Sequence, residues 1–334
     1  MELIMKKILS LITVIALFVC VLASCSGGKT EGGEEGEKAT VRVASLKGPT
    51  TMGLVKLLDD GEKGKTSYAL ESAIYGTADE VIGLIISGAV DVAAIPANVA
   101  SVLYNKTEGQ IMVAAINTLG VLYIVENGDT VKSVDDLRGR TIYSTGKGTT
   151  PEYVLNAVLK WNGLDPEKDL NIEYKSESTE IAALLTMSDK DAVAVLPQPY
   201  VAGVIEQNPS VSIALDLTKE WQAASGNMLV TGVVAVSRDF AQNNPDVLDA
   251  FLSDYQASAE YVNSNVSEAA RLIERYGIVA NAGIAEKALP YCNITFITGD
   301  DMHSNLSSYL EVLFEQNPAS VGGKLPDEEF YFKK

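Results

Sequence analysis

Two short segments of this chain carry the same chemistry one hundred residues apart. Lys47-Gly48-Pro49-Thr50-Thr51 and Lys147-Gly148-Thr149-Thr150 each join a cation, a glycine and hydroxyls. Gly48 and Gly148 let a ligand come close to the backbone. Thr50, Thr51, Thr149 and Thr150 stand beside expected helix starts, where unpaired N–H groups and the helix dipole favour an acceptor or an anion. Lys47 and Lys147 add positive charge. The same residue types also cap helices, and the sequence leaves both roles open. Pro151, at a first helical position, reads as structural. In Pro197-Gln198-Pro199-Tyr200 two prolines fix the backbone and display Gln198 and Tyr200 toward a polar or heteroaromatic ligand. A rigid strand-to-helix turn is the alternative. Tyr75, Tyr123, Tyr143, Tyr153 and Trp221 are further aromatic candidates, as packing or as ligand contacts.

Other chemistries find no residues. His303 is the sole histidine. It falls in an expected C-terminal helix away from the segments above. There is no Ser/His/Asp set and no cluster with metal-ligand spacing, so neither catalytic residues nor a metal or cofactor is expected. Gly146 to Thr150 lacks the spacing of a phosphate loop. Cys292 reads as a small buried hydrophobe. A net charge of −18 makes the chain a poor partner for nucleic acid.

The elements that must position these residues repeat. With no gap, 41–118 aligns on 141–218: Glu80-Val81 faces Glu180-Ile181, Asp91 to Ile95 faces Asp191 to Val195, and Thr118 faces Thr218. The period is too long for a solenoid and implies two similar lobes. Each copy alternates β-rich runs with helical patterns, for example strands at 40–45, 67–73, 90–95 and 111–117 around helices at 51–58, 79–87 and 97–104. The expected fold is therefore α/β and two-lobed, each lobe a mostly parallel sheet flanked by helices. Apolar runs at 120–125 and 228–236 are candidates to carry the chain between lobes. Helices expected at 245–262, 267–276, 284–289 and 302–314 return to the first lobe. Open α/β sheets bind ligands beyond the carboxyl ends of their strands. That places Leu46, Lys47, Gly48, Thr50 and Thr51 with Pro96, Asn98 and Thr118 on one side of a cleft. Lys147, Thr149, Thr150, Gln198 and Tyr200 fall on the other.

The first residues are a targeting segment. Lys6 and Lys7 precede an apolar run from Ile8 to Leu22, too short to span a membrane comfortably, which ends in Leu22-Ala23-Ser24-Cys25. Small residues before a cysteine fit lipidation of Cys25. Met1 and Met5 are both candidate translation starts. Residues 26–38 lack large apolar side chains and read as a flexible tether. The expected organisation is a signal peptide at 1–24, a tether at 25–39, one lobe from 40–125 with 226–334, and a second from 126–225.

The lipobox, Gly48-Pro49-Thr50, Asp91 to Pro96, Asp136-Leu137-Arg138-Gly139, Gly148 to Tyr153 and Asn162 to Pro166 together resemble the substrate-binding lipoproteins of nitrate, sulfonate, taurine and thiamine-pyrimidine importers. The resemblance covers nearly all of 40–332. It implies a type II periplasmic-binding-protein-like fold with two crossover strands and a small-molecule ligand in the cleft. It also implies a monomer, lipid-anchored on the extracytoplasmic face of the membrane, that partners an ABC permease and its ATPase. Many relatives carry Glu-Pro at Gln198-Pro199, so this chain lacks a carboxylate there. The expected ligand is a thiamine-precursor-like heteroaromatic, then a sulfonate- or nitrate-like anion. An enzyme of thiamine-pyrimidine or menaquinone precursor synthesis on the same fold is the alternative. An export signal and a lone histidine argue against it.

Overall fold

The structure, a computed structural model, describes residues 38–187 and 191–333. The signal, Cys25 and the tether up to residue 37 lie outside the described residues. The strands are β1 (Thr40–Leu46), β2 (Ala69–Tyr75), β3 (Val92–Pro96), β4 (Ile111–Leu119), β5 (Leu122–Asn127), β6 (Thr141–Ser144), β7 (Asn171–Tyr174), β8 (Val193–Pro197), β9 (Val211–Asp216), β10 (Val230–Ser237) and β11 (Ile294–Ile297). They form two sheets, ordered β2-β1-β3-β10-β4-β11 and β7-β6-β8-β5-β9.

The two orders correspond. In the first sheet β1 runs parallel to β2 and β3, and β10 lies antiparallel between β3 and β4. In the second, β6 runs parallel to β7 and β8, and β5 lies antiparallel between β8 and β9. The chain leaves the first sheet after β4 to supply the odd strand of the second, and after the second repeat it returns as β10 to supply the odd strand of the first. The two apolar runs read as passages are these exchanged strands. β3, β4, β5, β8 and β10 are buried along nearly their whole length. Helices cover both faces of such strands, which is why they read as continuous apolar runs without alternation.

Pairing corrects the ungapped repeat. Val43 lies opposite Val92, whereas Ile142 lies opposite Val193. The spacing between these paired strands is thus two residues longer in the second half. A constant offset of one hundred cannot hold in both strands, and a one-residue slip exchanges the faces of a strand. The lysine-bearing loops nevertheless correspond, since Lys47 follows β1 and Lys147 follows β6.

Between the strands run α1 (Pro49–Met52), α2 (Val55–Glu62), α3 (Ala78–Ile86) and α4 (Ala97–Lys106), then α5 (Thr150–Trp161), α6 (Ser178–Met187), α7 (Tyr200–Gln207) and α8 (Leu217–Ser225). The C-terminal part adds α9 (Arg238–Asn243), α10 (Pro245–Ser264), α11 (Val266–Arg275), α12 (Ala282–Ala288) and α13 (Gly299–Gln316). The single helix expected at 51–58 is two pieces that break at Gly53 and Leu54. Helices α8 and α9 and the edge strand β11 were not expected. Of these, α8 carries ordinary signals: Asp216 accepts from the Thr218 N–H at its start, and Gly226 ends it in the left-handed conformation.

The halves meet at an aromatic seam. Trp161 of α5 packs edge-on to Trp221 of α8 with ring centroids 4.8 Å apart, and Tyr309 of α13 lies 5.8 Å from Trp221. Trp221 and Tyr309 are fully buried.

Asp59 ties α2 to α11. It accepts from Lys63 Nζ at 2.6 Å and from Arg275 Nη1 at 2.9 Å. Lys63 first, and Arg275 after it, hold this carboxyl below its usual range against the opposing effect of burial. A carboxyl whose folded value is depressed contributes stability that is complete above its unfolded value and is lost as pH falls through the folded one. The melting temperature should therefore fall between about pH 5 and about pH 3. In Asp59→Asn it should start lower at neutral pH and fall less over that interval. Equal acid slopes in the two proteins would exclude Asp59 as a contributor.

Candidate functional site

On the first sheet, the strand ends bring several expected residues together. Gly232 of β10 pairs with Pro96 on one side and with Thr118 on the other, so the three lie in a row across β3, β10 and β4. Thr50 closes over this row: a Cβ on Gly232 would lie 2.6 Å from Thr50 Cγ2, 2.5 Å from Asn117 Oδ1 and 3.2 Å from Thr118 Cβ. Asn117, almost fully buried, organises the floor. Its Nδ2 donates to the Thr50 carbonyl at 3.1 Å and to Tyr255 Oη at 2.8 Å, and its Oδ1 accepts from Thr118 Oγ1 at 3.0 Å. Burial raises the Tyr255 phenol well above its usual value, so it stays neutral and able to donate. The Thr50 and Thr51 hydroxyls both donate to the Leu46 carbonyl. Their hydrogens are thus committed to the turn, and neither hydroxyl caps α1, which has no side-chain cap. Asn98 turns its amide toward the Ser320 carbonyl at 3.4 Å.

On the second sheet, Thr149 precedes α5 but does not cap it. Its hydroxyl donates to the Gly146 carbonyl at 2.6 Å. In the first turn of α5, Pro151 has no N–H and the Tyr153 N–H is bonded to the Thr149 carbonyl at 3.2 Å; the N–H groups of Thr150 and Glu152 have no acceptor within the helix, and no cap side chain reaches them. Thr150 lies near the Tyr309 hydroxyl across the seam. Glu152 accepts from the Gly148 N–H and from Tyr174 Oη. Gln198 is buried, and its Oε1 accepts from the Ala202 N–H at 3.2 Å, which satisfies a donor in the first turn of α7. Tyr200 stands partly exposed at the start of α7. The N-terminus of α4, preceded by Pro96, likewise has no side-chain cap.

Lys47 and Lys147 are exposed, and neither forms an ion pair among the described residues; Lys147 Nζ stands 5.7 Å from the centre of the Tyr174 ring. Lys175 Nζ stands 5.3 Å from the Tyr143 ring. Two surface grooves, about 870 and 550 Å³, flank α5; Lys147 lines the first and Gly148 the second. Of the other aromatic candidates, Tyr123 donates to the Tyr291 carbonyl at 2.7 Å and Trp221 belongs to the seam. His303, on α13, pairs with Glu328 at 3.0 Å, apart from both sets of strand ends. Cys292 is fully buried.

Sequence reasoning missed Asn117, Gly232 and Tyr255, together with Ser45 and Ser144, which lie at the carboxyl ends of β1 and β6, Ser45 one residue before the last, and are almost fully buried. A glycine inside the valine-rich run 230–236 was the available signal, since such a glycine often marks close approach of another group. Among the described residues no helix is long and apolar enough to cross a membrane, and no group of three or more His, Cys, Asp or Glu side chains could hold a metal ion.

Comparison with known proteins agrees with this architecture. An ABC transporter protein from Parabacteroides distasonis superposes with a TM-score of 0.74 at 22% identity, covering 89% of this chain and 99% of that one. The periplasmic aliphatic sulphonate binding protein SsuA from Escherichia coli gives 0.68 at 15% identity, over 86% and 92%. The alkanesulfonate-binding protein SsuA from Xanthomonas axonopodis pv. citri gives 0.61 at 14%, over 87% and 96%. At these identities the likeness is one of fold, two-lobed and periplasmic-binding-protein-like. No curated protein sequence matches the chain significantly. The profile of the family described as ABC transporter, phosphonate, periplasmic substrate-binding protein matches residues 63–278, well over half the chain, and the chain belongs to that family.

Proposed function

We propose that the protein captures a small phosphonate- or sulfonate-like oxyanion between its two lobes outside the cytoplasmic membrane and presents it to an ABC permease and its ATPase. The lobes in this reading are 40–119 with 230–333, and 122–225. Lipidation at Cys25 would hold the protein, as a monomer, on the membrane surface. The ligand would lie between Leu46–Thr51, Pro96–Asn98 and Thr118 on one side and 145–150 with Gln198–Tyr200 on the other. The observation that carries the ligand class is the start of α5. Thr149 occupies its cap position yet turns its hydroxyl away, leaving backbone donors and the positive end of the dipole for an incoming acceptor. Lys47 and Lys147, free of carboxylate partners among the described residues, supply charge to set against Glu152 and the acidic whole. Descriptions of the family and of its sulfonate-binding structural relatives support the same class. A heteroaromatic ligand has less support, because the Gln198 carboxamide oxygen is committed to α7.

Closure follows from the architecture: a ligand touched by both lobes favours the state in which both touch it, and a permease can distinguish that state. The test is a melting screen with alkylphosphonates, alkanesulfonates, nitrate and a hydroxymethylpyrimidine. A ligand at one hundred times its Kd stabilises the native state by about 2.7 kcal/mol. A phosphonate or sulfonate should raise the melting temperature by several degrees. A rise with the pyrimidine and none with any oxyanion would overturn the assignment.

A further inference from the structure

Tyr153 looks in the sequence like a candidate ligand contact, but its hydroxyl is already engaged. The residue lies in the first turn of α5 and is 6% exposed. Its Oη donates to the Gly148 carbonyl at 2.8 Å and accepts from Asn317 Nδ2 at 2.9 Å. Its own carbonyl accepts from Gln316 Nε2 at 2.9 Å. Asn317 in turn opens the short turn 318–321, where its Oδ1 accepts from the Ala319 N–H at 3.1 Å. That turn is bonded to α4: Ser101 Oγ donates to the Val321 carbonyl at 2.8 Å, and Asn105 Nδ2 to the same oxygen at 2.9 Å. Hydrogen bonds joined through the backbone of 319–321 thus connect the loop after β6, in the second sheet, to α4, which follows β3 in the first.

We propose that Tyr153 is a positioning residue: its hydroxyl sets the Gly148 carbonyl and, through Asn317, couples the 145–149 loop to α4 across the seam between the lobes. The inference rests on reading both places as sides of the ligand cleft. A phenol suits the position because one hydroxyl can donate and accept at once. Phenylalanine fills the same space but leaves the Gly148 carbonyl without its donor and the Asn317 amide without its acceptor. Tyr153 does not touch the ligand. It fixes the distance between the groups that do.

The test is Tyr153→Phe in the otherwise unchanged protein, by hydrogen–deuterium exchange without ligand. Backbone amides in 146–150 and in 317–322 should exchange faster together, by about fivefold or more if one hydrogen bond's worth of protection is lost. Amides of β4 and β10 should be unaffected. With an oxyanion that binds the wild type, the variant should bind about fivefold more weakly, through faster dissociation, with little change in ligand-free melting temperature. Unchanged exchange in 317–322, or a response confined to 146–150, would overturn the coupling. Weaker binding matched by a general loss of stability would reduce Tyr153 to an ordinary core residue. If no oxyanion binds the wild type, the ligand class falls while the exchange result still decides the coupling.

Discussion

Gly120→Ala should destabilise the protein by about 2–3 kcal/mol, the cost of forcing a methyl group into a packed interior. Gly120 lies in the passage from β4 to β5. A Cβ there would meet Thr218 Oγ1 well inside contact distance and Leu229 Cδ2 at 2.7 Å. Thr218 lies in the first turn of α8 and Leu229 immediately precedes β10, so α8 and the return passage both press on this one glycine. Its carbonyl also accepts from Asn293 Nδ2 at 2.6 Å, which limits how far the backbone can retreat. The Thr218 hydroxyl is buried without a hydrogen-bond partner, so deleting it sacrifices little. Gly120→Ala combined with Thr218→Ala should therefore recover part of the loss, with Leu229 accounting for the remainder. Urea unfolding of the two single variants and the double gives the comparison. A Gly120→Ala midpoint equal to the wild type would show that the passages have room to spare.

The second large effect should fall on binding. Gly232→Ala should weaken affinity for the cognate oxyanion by about thirtyfold or more, equivalent to about 2 kcal/mol. The added methyl displaces Asn117, whose amide holds the Thr50 carbonyl and Tyr255 in place, and it presses on Thr50 directly. Thr50→Ser in the same chain removes the Cγ2 contact and should restore part of the affinity. Calorimetry measures both. Full affinity in Gly232→Ala would move the ligand away from the ends of β3 and β4.

The legibility of these features in the sequence follows from their range. The βα alternation, the exchanged apolar strands and the lysine-bearing loops are local patterns, and the structure has them. The two-residue difference between the repeats was invisible because β3 and β8 are buried on both faces. Where Ala and Val line either side, a slip carries no compositional penalty, and the pairing of Val43 with Val92 and of Ile142 with Val193 decides the register. β11 is a four-residue edge strand between Asn293 and Thr298, residues that favour a turn. Thr50, Thr51 and Thr149 stand at helix starts, as the sequence suggests, but which way a hydroxyl points depends on carbonyls that the fold supplies. Gly232 gains meaning only when β10 lies between Pro96 and Thr118. The role of Tyr153 depends on Asn317, which is 164 residues away in sequence.

The aromatic seam has a practical consequence. Both tryptophans of the chain, Trp161 and Trp221, lie in it, one on another and against a tyrosine that belongs to the C-terminal helices. Intrinsic emission from this protein is therefore a local signal rather than an average over the molecule. An unfolding curve followed by tryptophan fluorescence traces the parting of the two halves, whereas far-ultraviolet circular dichroism traces the sheets and helices themselves. Where the two curves coincide, the halves come apart as the whole molecule melts; where fluorescence leads, the optical midpoint belongs to the seam alone.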